Sequence, residues 1–64
     1  MMVAIDSLSV GDLVTMSIKT QGLQVRGAYQ GLAMRDDSWY ALVRAADDSL
    51  VEVDTVLIEE IIRG

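Results

Sequence analysis

Arg35, Asp36, Asp37, Ser38, Trp39 and Tyr40 stand consecutively, bringing a guanidinium, two carboxylates, a hydroxyl and two aromatic rings into one stretch. Such a set suits single-stranded nucleic acid, because a ring can stack on a base while a guanidinium meets a phosphate. Arg35, Asp37 and Trp39 are the candidate nucleic-acid contacts. The same residues admit a plainer account, in which Trp39, the only tryptophan, packs in a small core and Arg35-Asp36-Asp37 is a solvated turn.

Other chemistry finds little support. Asp36-Asp37-Ser38 and Asp47-Asp48-Ser49 repeat a carboxylate pair. The strand expected between them spans about 30 Å at roughly 3.3 Å per residue, which puts the pairs at opposite ends of the molecule. Each pair alone lacks the further oxygen ligands a divalent cation takes. Glu59 and Glu60 would point to opposite faces of a strand, so they do not form a catalytic pair. With neither histidine nor cysteine in the chain, Ser/His and Cys/His nucleophile pairs and thiolate or imidazole metal sites are excluded. No enzyme activity, cofactor or metal is expected.

These residues must be positioned by a chain of 64 residues, which makes one domain. A domain this small buries only about 60% of its unfolded surface and is marginal unless something reinforces it. Disulfides are unavailable, and their absence fits a reducing compartment. Hydrophobic residues make up 52% of the chain, with only three aromatics among them, more Val, Ile, Leu, Met and Ala than a monomer of this size hides. Self-association is therefore expected. The net charge of −5 counts against a broad phosphate-binding face, though not against a small basic patch repeated around an assembly. No apolar run approaches the roughly 20 residues of a membrane span, and Met1 to Leu8 lacks the features of a signal peptide. A soluble, cytoplasmic protein is the expectation.

Leu23 to Ala46 organises the rest. Val25, Gly27, Tyr29 and Gly31 alternate with Arg26 and Gln30, the period-two pattern of a half-buried strand, with Leu23 leading the apolar set. Gly27 and Gly31, read on the inner face, let this strand bend sharply over a small core. Beyond Gly31 the apolar positions move to Leu32 and Met34, and a bulge near Gly31 would produce that slip. Leu13 to Thr20 alternates cleanly, with Val14, Met16 and Ile18 on one face, and Thr20-Gln21-Gly22 closes a hairpin into the bent strand. Trp39 to Val43 is apolar on both faces and should be covered on both sides, or on one side by the core and on the other by a neighbouring subunit. Ala45 to Ser49 forms another turn, followed by a short strand, Leu50 to Asp54, with Val51 and Val53 inward. In the tail, Leu57, Ile58, Ile61 and Ile62 have helical spacing with Asp54 as a possible N-cap. β-Branched residues favour instead a turn at Asp54-Thr55-Val56 and a last strand. Met1 to Ser9 is a lead-in, helix or strand, and residues 10–63 form the body of an all-β domain.

Gln21-Gly22, then Val25-Arg26-Gly27, then Gly31 and an apolar pair before a polar turn resemble the pattern of the Sm-like proteins, a family of SH3-like small barrels. Val53-Asp54 followed by Ile58 and Ile61 is similar to the last strand, turn and strand of such barrels. The resemblance covers roughly Val10 to Ile61 and implies a strongly bent, five-stranded barrel that closes homo-oligomeric rings by pairing the fourth strand with the fifth strand of a neighbour. It places Leu50, Val51, Val53, Leu57, Ile58 and Ile61 at that interface; the plainer account is that Leu57, Ile58, Ile61 and Ile62 cap the monomer's own core. It further implies binding of single-stranded, uridine-rich RNA at the pore. Here the chain departs from the family: Ala33 stands where the RNA-binding Asp is expected and Asp37 roughly where the Asn is. Ile62-Arg63-Gly64 matches the family's second motif only in type, because it ends the chain instead of joining the last two strands. Two functions follow: a ring that binds RNA, or a structural or adaptor ring that binds a protein partner.

Overall fold

Alternating side chains build the first strand, β1 (Leu13–Ile18): Val14 and Met16 are buried on one face while Thr15 and Ser17 lie on the other. Then come β2 (Gln24–Arg35), β3 (Ser38–Arg44), β4 (Leu50–Asp54) and β5 (Ile58–Arg63), with single 3-10 turns at Ile5–Ser7 and Thr55–Leu57. The structure is a computed structural model and describes residues 2–19 and 22–64. All ladders are antiparallel and join into one sheet of order β4-β3-β2-β1-β5. Its least dimension is 21 Å. A flat single layer would be about 10 Å thick, so the sheet is strongly curled.

One face of the sheet holds the core. Val14, Met16, Tyr29, Ala41, Val43, Val53 and Ile61 are all buried, and every strand contributes. Val3, Ile5 and Leu8 of the lead-in pack against them. Among its described residues the lead-in is neither a regular helix nor a strand: one 3-10 turn follows a backbone bridge from Met2 to Ile62. The tail is the β-strand alternative. Its turn runs one residue further than expected, because the Asp54 carboxylate accepts the Val56 N–H at 3.1 Å and starts a 3-10 turn that takes in Leu57. The hairpin turn expected at Thr20-Gln21-Gly22 lies outside the described residues except for Gly22, whose φ is +60°.

β2 carries the curl. Gly27 faces Val14 across the β1 ladder, and a Cβ added there would lie 2.2 Å from the Arg44 carbonyl oxygen. Only a missing side chain lets β2 and β3 approach so closely. Gly31 corrects the sequence expectation. The ladder steps from Tyr29↔Val43 to Gly31↔Leu42, leaving Gln30 unpaired as the bulge. The slip turns Gly31 away from the core face and brings Leu32, opposite buried Ala41, onto it. With φ at +110°, Gly31 serves the bulge, not the inner wall.

Burial of Tyr29 has a consequence for pH. Desolvation raises its phenol above the ordinary value of 10.0. The unfolded chain ionises near that value while the folded chain holds the neutral phenol, so this contribution is complete below a pH of about 10 and is lost as pH rises through the folded value. In urea melts, the wild-type midpoint is expected to drop more between neutral and strongly alkaline pH than that of Tyr29→Phe. Equal drops would show that the phenol does not couple to folding.

Candidate functional site

The turn that joins β2 to β3 is a two-residue hairpin loop. Asp36 and Asp37 have φ of 50° and 64° between the paired Arg35 and Ser38. Positive φ at both positions matches the twist of the flanking strands, and Asp tolerates it. The turn separates the residues the sequence had grouped. Trp39 pairs with Met34, two positions from the Leu32↔Ala41 pair, so all of these face the core side. Arg35 and Ser38 face the other way. There the Arg35 guanidinium reaches Glu52 on β4, with Nη1 2.6 Å from Oε1. Arg35 and Trp39 thus lie on opposite faces of the hairpin and do not converge on one ligand.

Nor is Trp39 a core residue. Trp39 is 48% exposed, Met34 54% and Leu32 44%, although they share the core's face. The cause is strand length. β1 pairs with β2 only as far as Ala28, and β4 pairs with β3 only from Tyr40, so the hairpin tip extends beyond both neighbours. Within one chain the second face of β3 is only partly covered, Tyr40 and Leu42 being half-buried. The tip is apolar with carboxylates at its turn.

Sequence reasoning missed a different pair of cations. Arg44 stands opposite Ala28, and Arg26 is two residues further along β2, so both lie on the face away from the core. Together with Leu13, Gly27, Ala28 and Ala46 they line a hollow of about 280 Å³. Arg44 also bonds the Asp48 carbonyl at 3.0 Å and faces its carboxylate at 3.7 Å. The hidden signal was strand parity, which places Arg44 beside Arg26 only once the bulge at Gln30 has fixed the register.

The acidic pairs stay apart, at the two ends of β3. Asp47 is a turn former: its carboxylate accepts the Ser49 hydroxyl at 2.6 Å and the Ser49 N–H at 3.1 Å, and the hydroxyl contact leads in holding its pKa below the ordinary value. Among the described residues no group of three or more acidic side chains could hold a metal ion.

The outer edges of β4 and β5 offer backbone. Ala45 N–H bonds the Ser49 carbonyl at 2.9 Å and so sets the phase of the β3–β4 ladder. Val51 and Val53 therefore spend their backbone groups on β3, whereas those of Leu50 and Glu52 point outward. Of the expected interface residues, Leu50 and Leu57 are exposed, Val51 and Ile58 are half-buried, and Val53 and Ile61 belong to the core. Val56 and Ile62 add exposed apolar surface beside them, at 70% and 40%. The β5 edge is occupied at one point, where the Val3 N–H donates to the Ile61 carbonyl at 2.9 Å. Among the described residues no helix is long and apolar enough to cross a membrane. No family model, curated protein or solved structure matches the chain.

Proposed function

We propose that the chain is the subunit of a homo-oligomeric, Sm-like ring, a barrel module that closes by pairing β4 of one copy with β5 of the next. On this reading the ring is a cytoplasmic structural or adaptor assembly that holds a protein partner, with no catalytic step and no cofactor. The observation that carries it is the strand order β4-β3-β2-β1-β5, which leaves β4 and β5 as the two edges, with Leu50, Val56, Leu57 and Ile62 exposed beside them. Open edges flanked by apolar side chains are a liability in a monomer and are removed by a closed ring.

The partner is argued from charge. Net charge is −5, and Arg35, Arg44 and Arg63 each face a carboxylate, at 2.6, 3.7 and 3.8 Å. Apolar Trp39, Met34 and Leu32 beside the Asp36-Asp37 turn suit protein better than a phosphate backbone. Nucleic acid is the second reading, favoured by the hollow that Arg26 and Arg44 share. A titration with uridine-rich single-stranded RNA at low salt separates the two. The adaptor ring is expected to leave the oligonucleotide free. Binding that weakens steeply as salt rises, and is lost in Arg26→Ala, would put RNA in the partner's place.

A further inference from the structure

The edge that ring closure needs on β5 is already touched by the chain's own lead-in. Met2 pairs with Ile62 in an antiparallel bridge, and the Val3 N–H bonds the Ile61 carbonyl at 2.9 Å. On its other side β5 belongs to β1: Gly64 N–H reaches the Leu13 carbonyl at 2.9 Å, and Thr15 pairs with Ile62. The Ile61 carbonyl is therefore an outward group, of the kind an incoming strand would use. Further along, Arg63 Nη1 donates to the Ser7 carbonyl at 3.4 Å, a second tie between lead-in and β5. Packing between them is loose. Met2, Val3, Ala4 and Ile5 on one side and Ile58 to Ile61 on the other border an open groove of about 530 Å³, and Met2 is 68% exposed.

We infer that Met2–Ile5 is a strap that occupies the β5 edge in the free subunit and must lift from it before β4 of a second copy can pair there. The inference rests on the edge-to-edge assembly proposed above and adds its regulation. Two strands cannot use the same outward groups, so the association constant is multiplied by the fraction of subunits whose strap is open. Val3 and Ile5 pack against the core, which makes the closed strap the resting state. Its short ladder and open groove keep the opening inexpensive.

A single engineered crosslink tests this. The Val3-to-Ile61 bond lies one residue to the side of the Met2↔Ile62 pair, which makes that pair the non-hydrogen-bonded type, with Cα atoms about 4.5 Å apart and within disulfide reach. The chain has no cysteine of its own. In the Met2→Cys/Ile62→Cys double variant, light scattering is expected to find association about tenfold or more weaker when oxidised, with wild-type association returning on reduction. Val3→Pro removes the N–H of the strap bond and is expected to associate about two- to tenfold more tightly than wild type. Association indifferent to both changes would overturn the strap while leaving the assembly intact. Failure of every form, the wild type included, to associate would remove the assembly itself and the strap with it.

Discussion

Gly27→Ala is expected to leave the chain largely unfolded at room temperature. The added methyl would sit 2.2 Å from the Arg44 carbonyl oxygen and 2.8 Å from its carbon, and both are backbone atoms that no rotamer change can move aside. Overpacking that side chains can relieve costs about 1–3 kcal/mol; a clash fixed between two backbones exceeds that range and reaches the roughly 3–5 kcal/mol that a core of this size rarely surpasses. Gly31→Ala provides the contrast. The nearest atom its Cβ would meet is Val10 Cγ2 at 4.0 Å, so the cost comes only from holding alanine at a φ of +110°. Strain of that kind is worth about 1–3 kcal/mol. Thermal melts followed by circular dichroism should find no cooperative transition for Gly27→Ala and a lowered but cooperative one for Gly31→Ala. A Gly27→Ala melt within a few degrees of wild type would mean that β2 and β3 do not approach as closely as the curl requires.

Glu52→Pro is expected to abolish self-association while the fold survives. The Glu52 N–H points away from β3, so proline there deletes a bond that an incoming strand would make and leaves the β3–β4 ladder whole. The variant also loses the Arg35–Glu52 ion pair, which spans 2.6 Å between exposed side chains. Such surface pairs contribute about 0–1 kcal/mol. Glu52→Ala removes the same pair but keeps the N–H, and should associate as wild type does. Val51→Pro breaks a bond to β3 instead and is expected to unfold. If Glu52→Pro assembles as well as Glu52→Ala, β4 is not the contact edge.

Much of the fold was legible where one period ran unbroken. Val14 and Met16, then Val51 and Val53, alternate with polar neighbours, and all four turn to the core side as expected. The tail was legible as a strand because β-branched residues outweighed a helical spacing that short elements produce by chance. Gly31 was misread because alternation was carried straight through Gln30, and one unpaired residue exchanges the faces of everything after it. The core account of Trp39 failed for a different reason. An inward-facing position is covered only if neighbouring strands reach it, and how far β1 and β4 run beside the hairpin is a tertiary fact absent from local pattern. The candidate site met the same limits: Arg35 and Trp39 are four residues apart yet on opposite faces, while Arg26 and Arg44 are distant in sequence and share a hollow.

Self-association through the β4 and β5 edges is the claim on which the proposed function stands, and light scattering across a range of protein concentrations measures it directly. The wild-type chain is expected to give a defined multiple of 7.0 kDa at micromolar concentration, reduced to the single-chain mass by Glu52→Pro. A wild-type mass of 7.0 kDa throughout that range would contradict it.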